Sequence, residues 1–204
     1  MSLCIAIFQE KYSSRIRNQM DIEEHMVTLR SLASGVDHVT EFGVRSGVST
    51  FSWLVGGATT VVGYDLEIAP SLRSIQKLAL GCNRTLLLVE ADTATVEINE
   101  TDILFIDSLH SGEHLRKELF RQHLRVRKYL VFHDTASCGE AIMDSKLAWR
   151  KYCLGNLKVN HTEGLKPVIR EFLEKTRGDW LVNVDKVNNN GLLVLERVGR
   201  TFMG

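Results

Sequence analysis

The chain has 204 residues, 44% of them hydrophobic and 25% charged, with 25 Lys and Arg balancing 25 Asp and Glu. One domain with a full core suits that length, and zero net charge argues against a general nucleic-acid binder or a membrane-surface protein. No apolar run approaches the roughly 20 residues that span a bilayer, and the short apolar start lacks the basic flank of a signal peptide.

Residues 1–35 read as an N-terminal helical arm. Within it, residues 21–34 carry an apolar stripe at Ile22, Met26, Leu29 and Leu32, with Asp21 as N-cap and Gly35 as the stop. His25 lies on this helix and reads as solvent-facing. Residues 36–42 then form a first strand. A turn with two glycines, Gly43 and Gly47, leads into a helix from Ser49 that closes at Gly56-Gly57. Strands follow at 59–64, 85–90, 102–106 and 128–132, with helices from about Pro70 to Gly81 and over 112–124, the latter strongly charged on one face. Alternation of this kind predicts parallel pairing with crossover helices, and continuous apolar strands predict a sheet covered on both faces. After a looser stretch, 165–175 is a helix. The runs 179–187 and 191–198 are strands joined by Asn188-Asn189-Asn190-Gly191, a tight reversal of Asn and Gly that predicts a terminal antiparallel hairpin.

Each predicted parallel strand ends at a polar residue: Glu41, Asp65, the run Glu90 to Asp92, Asp107, and His133-Asp134. In an open α/β sheet ligands bind at those ends. Asp65 stands where a carboxylate accepts hydrogen bonds from ribose hydroxyls. Arg45 stands where a dinucleotide site needs its middle glycine, so that fingerprint fails. An acid at Glu41, beneath the turn, suits a cofactor that carries a cation. Adenosine joined to an amino acid's ammonium and carboxylate describes S-adenosylmethionine.

The segment Glu41-Phe42-Gly43-Val44-Arg45-Ser46-Gly47-Val48-Ser49 resembles the first motif of the class I S-adenosylmethionine-dependent methyltransferases of the catechol O-methyltransferase type. Phe105-Ile106-Asp107-Ser108-Leu109-His110 and Val131-Phe132-His133-Asp134-Thr135 resemble motifs of the macrocin O-methyltransferase and cephalosporin-hydroxylase-like proteins. The resemblance covers about residues 20 to 198. It implies a Rossmann-like, doubly wound, mostly parallel seven-stranded α/β sheet with a C-terminal antiparallel hairpin, in one domain over residues 1–204.

The resemblance also implies roles. Gly43 and Gly47 pack under the methionine part, with Arg45 in the same cofactor-binding turn, and Ser49 bonds its carboxylate. Asp65 holds the ribose, and Asp92 or Thr93 sits by the adenine. Asp107 and Asp134 match positions that bind magnesium in metal-dependent members. The third ligand is open, since Thr135 replaces an Asn and His133 an acid; His133 is the candidate. Asp107 lies beside the cofactor, and His110, three residues on, is a candidate general base at neutral pH. Residues 135–164, with Met143, Leu147, Trp149 and Tyr152, read as a lid over a small-molecule acceptor. Cys4, Cys82, Cys138 and Cys153 lack metal or redox spacing and read as reduced thiols in a cytoplasmic protein. Nucleic acid and membrane are not expected as partners; a homodimer is.

Overall fold

The structure is a computed structural model that describes residues Glu10, Tyr12 and Ser13, 22–141 and 163–198. Asp21, as an N-cap, and most of the expected lid lie outside the described residues.

A single 3-10 turn at Glu23–His25 leads into helix α1, Met26–Leu32. Then come β1 (His38–Phe42), α2 (Val48–Gly56), β2 (Thr60–Asp65), α3 (Leu72–Gly81), β3 (Thr85–Glu90) and β4 (Thr101–Ile106). The chain continues through α4 (Gly112–Gln122), β5 (Val126–His133), α5 (Leu165–Lys175), β6 (Trp180–Lys186) and β7 (Leu192–Arg197). The seven strands lie in the order β3-β2-β1-β4-β5-β7-β6. The pairs among β1 to β5 are parallel, and β7 inserts antiparallel between β5 and β6. The expected doubly wound sheet with its terminal hairpin is therefore present. Asn189, Asn190 and Gly191 in the hairpin turn all have positive φ, as that reversal requires.

Alternation along the central strands builds two cores. Ile103, Phe105, Val131, Leu192 and Val194 point toward α1, α2 and α3, against Met26, Leu29, Trp53, Leu54, Leu72 and Ile75. Leu104, Ile106, Leu130, Phe132, Leu193 and Leu195 point the other way, against Leu115, Leu119, Val168 and Phe172 of α4 and α5. Every residue of β4 is buried. The expectation of strands covered on both faces fails at the sheet margins. Leu87 and Val89 in β3 and Leu181 and Val182 in β6 are exposed, because an edge strand lies beyond the reach of the crossover helices.

The strands run outward from β1 to β3 and then return to β4. The loops after β1 and β4 therefore diverge, and the crevice between them is the switch point where this architecture binds ligands.

Candidate cofactor and acid-histidine site

The end of β1 meets the end of β4 closely at the switch point. The Asp107 amide donates to the Phe42 carbonyl at 2.8 Å. Gly43 has φ +87, and a Cβ there would stand 2.2 Å from the Asp107 carbonyl oxygen. Only glycine permits this approach. The next turn closes through a bond from Gly47 N–H to the Val44 carbonyl, 2.8 Å, and Gly47 at φ +75 caps α2. A Cβ on Gly47 would meet Leu72 Cδ2 and Ile75 Cδ1 of α3, at 2.7 and 2.9 Å. The two glycines thus serve different contacts: Gly43 the seam between β1 and β4, Gly47 the packing of α2 on α3.

Glu41 is fully buried. The Ser49 hydroxyl donates to its Oε1, and the Thr50 hydroxyl to its Oε2 at 2.6 Å. Burial pushes the Glu41 carboxyl up to about 8, against the pull of those two hydroxyls, with Asp107 and Asp65 adding to the rise. Ser49 therefore faces Glu41. Asp65 reaches back to the turn, where its Oδ2 accepts the Val44 and Arg45 amides at 2.9 Å each while Oδ1 accepts Leu66 N–H at 2.8 Å. Arg45 holds a left-handed φ of 49, which aims its amide at that carboxylate.

Beyond β3, Asp92 is exposed and its Oδ1 accepts the Ala94 amide at 2.9 Å. Thr93 is buried and turned toward α4, where its hydroxyl donates to Glu118 Oε1 and lies 3.0 Å from His114 Nε2. The Ser108 hydroxyl donates to the same Glu118 oxygen at 2.6 Å. Glu118 has no exposed surface, and its Oε2 has no hydrogen-bond partner among the described residues. The sequence reading of this helix as strongly charged on one face did not single out Glu118. Its placement four residues after His114 is a weak signal that the two share a face.

At the ends of β4 and β5 two acids and two histidines interlock. His110 Nε2 donates to Asp107 Oδ1, and His110 Nδ1 to Asp134 Oδ2, both at 3.0 Å. His133 Nδ1 is 3.2 Å from Asp107 Oδ1 and 3.5 Å from Asp134 Oδ2. Burial alone favours neutral imidazoles, but Asp107 and Asp134 overcome it: His110 is raised well above its usual range and His133 rises to about 10. Burial likewise pushes both carboxyls up, and the histidines outweigh it and hold them below the usual range. His110 is therefore a doubly protonated donor at neutral pH in the ion-free protein, whereas general-base action needs a nitrogen without its proton. Asp107 and His110 keep 22% and 19% side-chain exposure, so the cluster opens to solvent on their side. Asp134 sits at φ +59, a left-handed conformation that Asp tolerates better than most residues.

The cluster has a back wall that sequence patterns do not reveal. The Asn190 carbonyl in the β6–β7 turn accepts the Ala136 and Ser137 amides, at 2.8 and 3.0 Å, and so braces the loop after β5. His25 is fully buried, not solvent-facing as expected. Its Nε2 lies 3.1 and 3.2 Å from the Asn188 and Asn189 carbonyls, and its ring packs edge-on to His133 at 5.6 Å between centroids. Cys138 is buried and in no disulfide.

Among the described residues, two sets of side chains bring ligand atoms close enough to share one ion: Asp107, His133 and Asp134, and His110, Asp134 and Cys138. Two carboxylates suit a hard ion such as magnesium, while imidazole nitrogen draws the set toward manganese, iron or zinc. The expected trio fits a divalent ion, with magnesium the less natural choice.

No family model and no curated protein sequence matches the chain. Solved structures do. The chain is similar to the magnesium protoporphyrin IX methyltransferase of Synechocystis with bound S-adenosylhomocysteine, at 14% identity over 93% of this chain and 94% of that one, TM-score 0.59. It is similar to the Burkholderia thailandensis 1,6-didemethyltoxoflavin N1-methyltransferase, at 14% identity over 96% and 87%, TM-score 0.61. It is similar as well to an O-methyltransferase of Bacillus cereus in complex with S-adenosylhomocysteine, at 14% identity over 97% and 91%, TM-score 0.55. The fold is that of the class I S-adenosylmethionine-dependent methyltransferases.

Proposed function

We propose that the chain is an S-adenosylmethionine-dependent methyltransferase acting on a hydroxyl of a small molecule, with a divalent ion assisting. The observation that carries the reading is the buried Glu41 carboxyl at the switch point of this fold, with Asp65 at the next strand end. Glu41 offers a dinucleotide's phosphates no counter-charge and repels them once ionised, whereas a cofactor with an ammonium tail at Glu41 and a ribose at Asp65 matches the pair. S-adenosylmethionine, when bound, supplies a methyl group made electrophilic by its sulfonium.

The chain's own residues supply position and charge. Glu41 ionises against the ammonium group, with Ser49 and Thr50 already donating to it. Asp65 keeps about one lone pair for the ribose beyond the three amides it accepts, since a carboxylate offers about four. Asp107, at the rim between cofactor crevice and solvent, directs the acceptor oxygen, and in-line alignment with the methyl group is the main catalytic demand. Asp107, His133 and Asp134 would hold a divalent ion, which lowers the pKa of a bound hydroxyl. His110 donates from Nε2 to Asp107 and from Nδ1 to Asp134 and so keeps both carboxylates charged and in place, while the proton of the acceptor hydroxyl passes to solvent along the exposed side of Asp107. Residues 135–164 complete the acceptor pocket in this reading, which also includes a homodimer and a cytoplasmic setting.

The test is conversion of S-adenosylmethionine to S-adenosylhomocysteine with a panel of small phenols, catechols and sugar hydroxyls, with and without Mn2+ or Mg2+. Ion-stimulated turnover on a hydroxyl acceptor supports the reading. Turnover only on nitrogen acceptors contradicts its oxygen specificity, and no turnover with any acceptor leaves a chain that merely binds the cofactor.

A further inference from the structure

Cys138 borders the acid–histidine cluster, and the proposed chemistry does not use it. Cys138 lies one turn along from Asp134, and its amide donates to the Asp134 carbonyl at 2.9 Å. This tight turn returns the thiol to the acid–histidine cluster, where Cys138 Sγ, an Asp134 oxygen and a His110 ring nitrogen all lie within 4.8 Å of one another. We propose that His110, Asp134 and Cys138 form a binding site for a thiophilic divalent ion of the zinc class, with the Cys138 thiolate as a ligand.

Supporting contacts are already built around the three. The Asp107 carboxylate accepts from His110 Nε2 at 3.0 Å, which leaves His110 Nδ1 as the nitrogen that faces Asp134. A carboxylate behind an imidazole in this way orients metal-bound histidines and raises their basicity. The Ser137 hydroxyl donates to Asp134 Oδ1 at 2.5 Å, which leaves Oδ2 toward His110. His110 Nδ1 and Asp134 Oδ2 are 3.0 Å apart. Two ligands each about 2.1 Å from one ion span that distance readily. Coordination sends the thiol proton of Cys138 and the Nδ1 proton of His110 to solvent. Three protein ligands leave a fourth position open, and the exposed side of His110 gives the ion its way in.

Sulfur separates this set from Asp107, His133 and Asp134, with which it shares Asp134. A hard ion gains nothing from a thiolate, whereas zinc and cobalt do. The inference does not depend on methyl transfer.

Metal-stripped protein titrated with Co2+ tests it. A thiolate ligand gives a sulfur-to-cobalt charge-transfer band in the near ultraviolet. The band is expected in the native protein and in Cys82→Ser, is lost in Cys138→Ser and, independently, in His110→Asn, and is displaced by Zn2+. Roughly a thousandfold excess of Mg2+ should leave it unchanged. Absence of the band in the native protein, or its persistence in Cys138→Ser, overturns the proposal. Circular dichroism of both variants checks their folding. S-adenosylhomocysteine binding, measured on the same samples, should be unaltered in Cys138→Ser. A failure there bears on the cofactor reading and leaves the ion site standing.

Discussion

Glu41 is a carboxyl whose charge depends on what lies beside it. With its pKa raised from 4.5 to about 8 by burial, the folded, cofactor-free protein keeps a proton that the unfolded chain has lost. Stability from this residue therefore falls as pH rises from about 4.5 to about 8. Glu41→Gln should remove that slope and raise cofactor-free stability at pH 8.5 by roughly 1–3 kcal/mol, read by thermal melts across pH. His133 has the same sign from the opposite chemistry. Its pKa rises from 6.5 to about 10, so its contribution is complete below 6.5 and is lost as pH climbs through about 10. In metal-free protein at pH 6, His133→Ala leaves Asp107 and Asp134 short of a partner and should cost about 3–5 kcal/mol by denaturant unfolding. A loss under 1 kcal/mol would mean that His110 alone neutralises both acids.

The elements divide their work at the turn after β1. Gly43→Ala places a methyl group against the Asp107 backbone, which cannot yield without parting β1 from β4. Gly47→Ala meets only the ends of the Leu72 and Ile75 side chains, though its φ is also positive. Calorimetric melts should show Gly47→Ala folded and weakened by about 1–3 kcal/mol, with Gly43→Ala weakened more or unfolded. Helix α4 ties the loop after β3 to the loop after β4 through Glu118. Glu118→Ala strands the Thr93 and Ser108 hydroxyls and should cost about 2–4 kcal/mol. The elements were legible from sequence because their signals are local: apolar runs, glycine stops and an Asn-Gly reversal. Their margins moved by one or two residues where terminal hydrogen bonds decide, as at Val48 and at Val126. Burial of Glu118 was not legible because sheet packing, not its own charge, determines which face of α4 is buried.

For the molecule as a whole, the switch point between β1 and β4 explains why residues far apart in sequence meet. Glu41, Asp65, Asp107 and Asp134 were foreseeable, since each ends a strand and the fold gathers strand ends on one edge. The partners that set their charge were harder to foresee. Ser49 was assigned to a ligand and faces Glu41. His25 and the Asn188–Asn190 turn come from opposite ends of the chain and close the back of the site, a juxtaposition that no local pattern encodes. The functional reading rests on one claim: the buried Glu41 carboxyl receives the ammonium of S-adenosylmethionine or its demethylated product. Binding then expels the carboxyl's proton, so affinity must increase with pH up to about 8. Isothermal titration calorimetry of S-adenosylhomocysteine at pH 6.5 and 8.5, in native protein and Glu41→Gln, measures this directly. The account predicts tighter binding at pH 8.5 in the native protein, proton release mainly at pH 6.5, where Glu41 still carries its proton before binding, and weak, pH-independent binding in the variant. Equal affinity in the two proteins, or no binding to either, would contradict it.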